Sequence, residues 1–171
     1  MPLHKKKASF DAENYRGVHL TPVLTKVLEK VLGQILQPYF VSVGAYGSSQ
    51  WAFQKKIGAS DLVAETVMSC LLACQQNRKN AIYLSDISGA FDRVETELLL
   101  EKLKATGLSK CFISFLRAYL APRDGVVLAD GETSHQISLR DMIFQGTVLG
   151  PSFWNVFFRD VGSACFFVIT C

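Results

Sequence analysis

The chain has 171 residues, is 49% hydrophobic and 19% charged, and carries a net charge of +3. Such a composition supports one domain, or two small interleaved lobes, around a buried core, and it excludes a disordered tail. The charge is too small to argue for nucleic-acid binding by itself, yet it is unevenly placed. Residues 1–60 carry eight Lys/Arg against three Asp/Glu, a local +5, and residues 61–171 carry ten against twelve, a local −2. A basic first third joined to a carboxylate-bearing remainder suits contact with a phosphate backbone at one part and a metal at another, although an ordinary solvated surface has the same signature. The cysteines (Cys70, Cys74, Cys111, Cys165 and Cys171) are odd in number, scattered, and remote in sequence from His4, His19 and His135. That argues against a zinc site and a disulfide framework, and leaves Cys70 and Cys74, one helical turn apart, as expected core residues. The basic start is followed by no apolar leader, and no window approaches about eighteen apolar residues. An intracellular protein, nuclear or cytoplasmic and without a membrane span, is therefore expected.

In chain order, residues 1–20 read as irregular to extended, with Lys5-Lys6-Lys7 exposed. Thr21 can cap a helix and Pro22 suits its first position; apolar residues from Val23 to Leu36 then recur at helical spacing until Pro38, where the pattern is expected to stop. A Gly/Ser-rich loop over 41–50 leads to a short strand expected at Trp51–Lys56. Ser60 is placed as the cap of a helix carrying Leu62, Val63, Val67, Cys70, Leu71 and Cys74 on one side. Ala81 to Leu84 reads as a buried strand. Asp92 and Glu95 have the spacing of a capping box ahead of a helix with Leu98, Leu99 and Leu103, closed by Gly107. Ser109 caps the next helix, with Phe112, Phe115, Leu116 and Tyr119 on one face, ended by Pro122. Val126–Leu128, the turn Asp130-Gly131, and Ile137–Leu139 read as a hairpin, and Thr147–Val161 as a final helix.

The chemically loaded stretch is Ser85-Asp86-Ile87-Ser88-Gly89-Ala90-Phe91-Asp92, which on this reading follows directly from a buried strand. A carboxylate at a buried strand end costs several kcal/mol unless it is paired or bound to metal, so a divalent cation at Asp86 is one reading and an Asx turn is the other. Asp92 reads first as a helix cap and second as a ligand.

Several segments in order resemble reverse transcriptases of the non-LTR retrotransposon and group II intron type. Asn14-Tyr15-Arg16 with Leu20 to Glu29 is similar to their first fingers motif, and Gln50-Trp51-Ala52-Phe53-Gln54-Lys55 with Ser60-Asp61 to the second. Asp86 to Asp92 resembles the first catalytic motif of the palm. Gln145-Gly146-Thr147-Val148-Leu149-Gly150-Pro151, with Asn155 and Asp160 beyond, resembles the motif that meets template and incoming nucleotide. The resemblance covers roughly residues 1–161. It implies an α+β fold, the fingers and partial palm of a right-hand polymerase, with an incomplete antiparallel palm sheet packed with helices. Fingers would occupy about 1–80 and 108–140, palm about 81–107 and 141–161, and 162–171 would be a non-matching apolar tail.

The resemblance also implies roles. Asp86 would be the catalytic carboxylate, bridging two Mg²⁺ ions (Mn²⁺ can substitute) about 3.5–4 Å apart, with the Ile87 carbonyl as a further metal ligand. Phe91, Gln145 and Lys55 would bind the incoming nucleotide, Phe91 under the sugar where it rejects a 2′-hydroxyl; Arg16 and Gly146 would meet the template. Read alone, Phe91 is a core aromatic, Gln145 a residue at a helix start, and Lys55 and Arg16 solvated cations. RNA template, DNA primer and deoxynucleotides are the implied partners. Three positions depart from the family's usual residues: Gln54 stands where Arg is usual, Phe144 where Pro is common, and Gly17 where Pro is usual. The family's second catalytic motif, an aromatic residue, any residue and two aspartates, is missing: no Asp-Asp pair occurs in these 171 residues. The expectation is a truncated polymerase domain that is inactive alone, its metals weakly bound or absent; the alternative is a non-catalytic nucleic-acid-binding remnant or a non-functional retroelement fragment.

Overall fold

In the computed structural model the described residues are 2–5, 8, 10, 11, 14–48, 50–82 and 84–165, with the backbone alone described at 16 and 162–165. The architecture is α+β: five helices and three small antiparallel pairs of strands among the described residues. β1 (Pro2–His4) pairs with β2 (Tyr15–Gly17). α1 spans Val23–Ser42 and α2 Ala59–Gln75. A 3-10 turn over Ala90–Arg93 precedes α3 (Thr96–Ala105) and α4 (Lys110–Tyr119). β3 (Arg123–Gly125) pairs with β6 (Ile137–Leu139), and between them β4 (Leu128–Ala129) pairs with β5 (Glu132–Thr133). α5 spans Gly150–Cys165. No helix among the described residues is long and apolar enough to cross a membrane.

The core gathers around α3, which packs against α4 and α5. Leu99, Leu100 and Leu103 of α3 meet Leu116 of α4, Phe153 and Val156 of α5, and Leu36 and Phe40 of α1. The inner face of α1 is Glu29, Gly33, Leu36 and Phe40, one helical stripe. Val23, Leu24, Val27, Val31 and Ile35, off that stripe, are exposed. Pro38 does not stop this helix. A proline inside a helix forfeits one backbone hydrogen bond, at a cost of about 3 kcal/mol. Here the last turn is held regardless, because Phe40 is fully buried and the Tyr39 hydroxyl donates to the Thr106 carbonyl at 2.7 Å.

Local chemistry places several boundaries differently from the sequence reading. Pro22 is the cap of α1 rather than its first residue. α2 starts from Gly58, whose N–H donates to the Asp61 carboxylate at 2.7 Å, so Asp61 and not Ser60 secures that end. The capping expected of Asp92 is absent: α3 is capped at Glu95, and Asp92 lies in the preceding 3-10 turn. Ser109 does cap α4, accepting from the Phe112 N–H at 3.3 Å. The turn Asp130-Gly131 is real, both residues having positive φ (51° and 85°) as a tight hairpin turn requires. It joins β4 to β5, however, while Ile137–Leu139 pairs with Arg123–Gly125. α5 begins at Gly150, three residues after the expected Thr147.

Two expected strands do not form. Trp51–Lys56 is a run of turns, with positive φ at Phe53 and Lys56. The segment around Ala81–Leu84 is non-regular and exposed, Leu84 by 88%. An apolar run becomes a strand only where a neighbour supplies hydrogen-bond partners, and no strand pairs with this one among the described residues. Tyr83 lies outside the described residues. Cys70 and Cys74 are not core residues either: α2 buries none of its side chains, and Cys74 is exposed.

The packing predicts a sharp contrast. Phe40→Ala should lower stability by about 3–5 kcal/mol in urea unfolding, as a large-to-small change in a closed core does. Leu84→Ser should change it by less than about 0.5 kcal/mol, because nothing packs on an exposed side chain.

Candidate nucleic-acid interface

The residues ahead of α5 are organised by a buried acid. Glu29 of α1 is fully buried, and its two carboxylate oxygens take separate partners. Oε1 accepts from the Tyr119 hydroxyl at 2.7 Å, and Oε2 accepts from the Val148 N–H at 2.5 Å. A buried charge is tolerable only when donors replace water, and these two donors tie α1, the end of α4 and the approach to α5 to one point. Burial, and then the adjacent Glu29 carboxylate, push the Tyr119 phenol well above its ordinary pKa, so it stays a hydroxyl donor at any working pH. Arg123 completes the knot. It donates to the Tyr119 carbonyl at 2.6 Å, and its guanidinium lies over the rings of Tyr119 (5.2 Å) and Phe144 (4.8 Å).

The Gln145-Gly146 loop projects from this knot. Backbone hydrogen bonds fasten its base: Thr147 N–H donates to the Phe144 carbonyl at 3.3 Å, and Ile143 N–H to the Phe91 carbonyl at 2.9 Å. The second bond joins the loop to the 3-10 turn that carries Phe91 and Asp92. From that turn the Asp92 carboxylate presents both oxygens to the Gln145 side-chain amide, each at 3.5 Å. On the other side stands His19. Its N–H donates to the Gln145 carbonyl, and its Nδ1 accepts from the Gln145 N–H, both at 3.1 Å. The imidazole also meets Phe144 edge to face, at 5.0 Å. Burial holds His19 below the ordinary histidine value of 6.5, against the opposing pull of the Asp92 carboxylate and the Gln145 backbone carbonyl. Gly146 adopts φ +99°, and a Cβ there would stand 3.3 Å from the His19 carbonyl oxygen.

Of the residues singled out in the sequence, the structure brings Phe91, Gln145 and Gly146 to one place. Phe91 is half-buried and packs against Trp154 of α5 at 5.5 Å. Asp86 and Ile87 lie in the exposed segment before the turn, and Lys55 is exposed on the loop before α2. That loop is fixed to α5 through Asn155, which donates to the Ala52 carbonyl at 2.8 Å. Arg16 lies in β2, and its side chain falls outside the described residues. A hard cation needs several oxygen ligands held together. Among the described residues no three His, Cys, Asp or Glu side chains gather, and Asp86 is an exposed carboxylate. The donor set of this stretch therefore does not make a metal site by itself.

Comparison with known proteins gives this geometry a context. A model of the family described as "Reverse transcriptase (RNA-dependent DNA polymerase)" matches residues 3–165. The chain belongs to the reverse transcriptase family. It is 31% identical over 162 residues to the RNA-directed DNA polymerase from mobile element jockey of Drosophila funebris, a match over 94% of this chain and 18% of that protein. Its identity to the jockey polymerase of Drosophila melanogaster is 29% over 161 residues, covering 93% and 17%. The probable RNA-directed DNA polymerase from transposon BS of the same fly is 27% identical over 161 residues, covering 93% and 18%. The chain thus spans less than a fifth of the length of these curated relatives.

Within this reverse transcriptase segment, no role at this site was expected of Glu29, Tyr119, Arg123 or His19, although Glu29 closes the first fingers motif and Tyr119 lies on the apolar face of α4. Glu29 carried a usable signal, an acid at helical spacing from Gly33, Leu36 and Phe40. His19 carried none, its partners lying more than a hundred residues away, and for Arg123 only Tyr119 is near in sequence while Phe144 is not. Phe144 is the ring that His19 and Arg123 both pack on.

Two outcomes check the knot. Tyr119→Phe should lower stability by about 1.5–3 kcal/mol in urea unfolding, the value of a hydrogen bond to a buried charge. Gly146→Ala should destabilise by more than about 1 kcal/mol, because the new side chain enters a left-handed conformation against the His19 carbonyl.

Proposed function

We propose that this segment supplies the template- and nucleotide-facing part of an RNA-templated DNA polymerase and does not extend primers as an isolated polypeptide. The observation that carries the reading is the Gln145-Gly146 loop, a family motif held by backbone bonds against the turn bearing Phe91 and Asp92. On this reading residues 1–80 and 108–140 are fingers, and 81–107 and 141–161 belong to the palm. Gly146 lets the backbone approach the forming base pair, and Gln145 offers an amide held in place by Asp92. Phe91, packed on Trp154, presents a fixed aromatic surface beneath the sugar of an incoming deoxynucleotide. Arg16 and the exposed Lys55 add positive charge toward template and triphosphate phosphates.

Asp86 is the family's first catalytic carboxylate on this reading, and with the Ile87 carbonyl it would hold a Mg²⁺ ion that offsets negative charge on the reacting phosphate. One exposed carboxylate and one carbonyl are too few to bind that ion firmly, and no Asp-Asp pair elsewhere in these residues can supply the rest. The alternative, a purely nucleic-acid-binding remnant, shares the interface and differs in having no dependence on Asp86.

The test is primer extension by the purified 171-residue chain on an RNA template annealed to a DNA primer, with Mg²⁺ and deoxynucleotides. No extension is expected, together with template–primer binding that weakens steeply as salt rises. Extension that Asp86→Ala abolishes would overturn the claim of inactivity. Absence of binding at low salt would remove the interface itself.

A further inference from the structure

We propose that His19 is a positioning residue for the Gln145-Gly146 loop, holding it through a neutral imidazole whose Nδ1 accepts the Gln145 N–H. Four contacts converge on this residue. Its own N–H donates to the Gln145 carbonyl at 3.1 Å, and its Nδ1 accepts from the Gln145 N–H at 3.1 Å. Its carbonyl oxygen lies where it confines Gly146, and its ring packs edge to face on Phe144. One residue from the stretch between β2 and α1 therefore fixes three consecutive residues, 144–146, that are more than a hundred positions away in sequence.

The chemistry of that grip is specific. Nδ1 can accept only when it carries no proton, so the proton of the neutral ring sits on Nε2. Protonating Nδ1 turns the acceptor into a donor facing the Gln145 N–H, and the hydrogen bond is lost. Among the groups facing the ring, the Asp92 carboxylate on the 3-10 turn and the Gln145 backbone carbonyl favour the imidazolium. The Arg123 guanidinium stands behind Phe144. Burial outweighs the rest and keeps the folded-state value below 6.5. The unfolded chain thus binds a proton more readily than the folded one. The contribution of the neutral ring is complete above about pH 6.5 and is lost as pH falls from there through the lower folded-state value.

This inference rests on the proposed role of the loop only where nucleic acid is concerned, and the experiment separates the two. In the intact chain, ¹⁵N-labelled protein is titrated from pH 8 downward while the His19 ring and the Gln145 amide are followed by NMR. The Gln145 amide should shift with the same midpoint as the His19 ring, below 6.5, and its hydrogen exchange should quicken across that step. In His19→Asn, whose side-chain oxygen can accept the same hydrogen bond without titrating, the step should vanish while protection at pH 7.5 remains; in His19→Leu protection should be lost at every pH. A Gln145 amide that ignores the His19 titration in the wild-type chain would overturn the positioning role, whatever the variants do. Binding of an RNA–DNA template–primer at pH 7.5 should weaken by about three- to tenfold in His19→Leu, the worth of one neutral hydrogen bond, and recover in His19→Asn. If template–primer leaves the Gln145 and Gly146 amides unperturbed while the coupled titration is present, His19 still positions the loop and the loop's role toward nucleic acid is the part that fails.

Discussion

A single buried carboxylate sets the geometry on which the rest of this structure depends. Glu29 stands on the inner stripe of α1, where a leucine would have sufficed for packing, and it accepts hydrogen bonds from Tyr119 and from the Val148 backbone. A leucine could not hold that backbone N–H, and a surface acid could not reach it. Burial raises the stakes of both bonds, since either donor lost leaves a charge uncompensated in a low-dielectric interior. The arrangement fixes where α5 begins, and with it where Gln145 and Gly146 project.

Around that point the described residues divide into a well-packed part and a more exposed one. α3, α4, α5 and the inner face of α1 close over a continuous core. α2 buries none of its side chains, and the segment leading to Asp86 is exposed. The loop motif therefore stands on firm packing, whereas Asp86 does not. The same contrast separates their chemistry. Backbone bonds hold the Gln145-Gly146 loop in place, whereas Asp86 is exposed and no cluster of three acidic, His or Cys side chains surrounds it among the described residues.

Much of this was legible in the residues, in proportion to how local the cause was. The helices could be read because their apolar spacing and flanking Ser, Gly and Pro act within a few positions, as Ser109 and the Asp130-Gly131 turn illustrate. The strand expected at Ala81–Leu84 failed because strand formation is a property of two segments, and the apolar run names only one. Pro38 misled for a related reason: its local cost is real, but tertiary contacts of Tyr39 and Phe40 outweigh it. Of the residues named from ordered motifs, Phe91, Gln145 and Gly146 come together where the 3-10 turn meets the loop before α5. The residues that hold them, Glu29, Tyr119, Arg123 and His19, act across the fold, and of these only Glu29 announces itself, by its place on a helical stripe.

The most direct measurement of this account is native-state hydrogen exchange at the Val148 amide in the wild-type chain. If the buried Glu29 carboxylate organises the interface, that amide exchanges only when the whole core opens, with the same free energy as the Phe153 amide inside α5. Exchange at Val148 as fast as in the exposed Ala81–Leu84 segment would contradict it, and the interface would then have to be ordered by something other than Glu29.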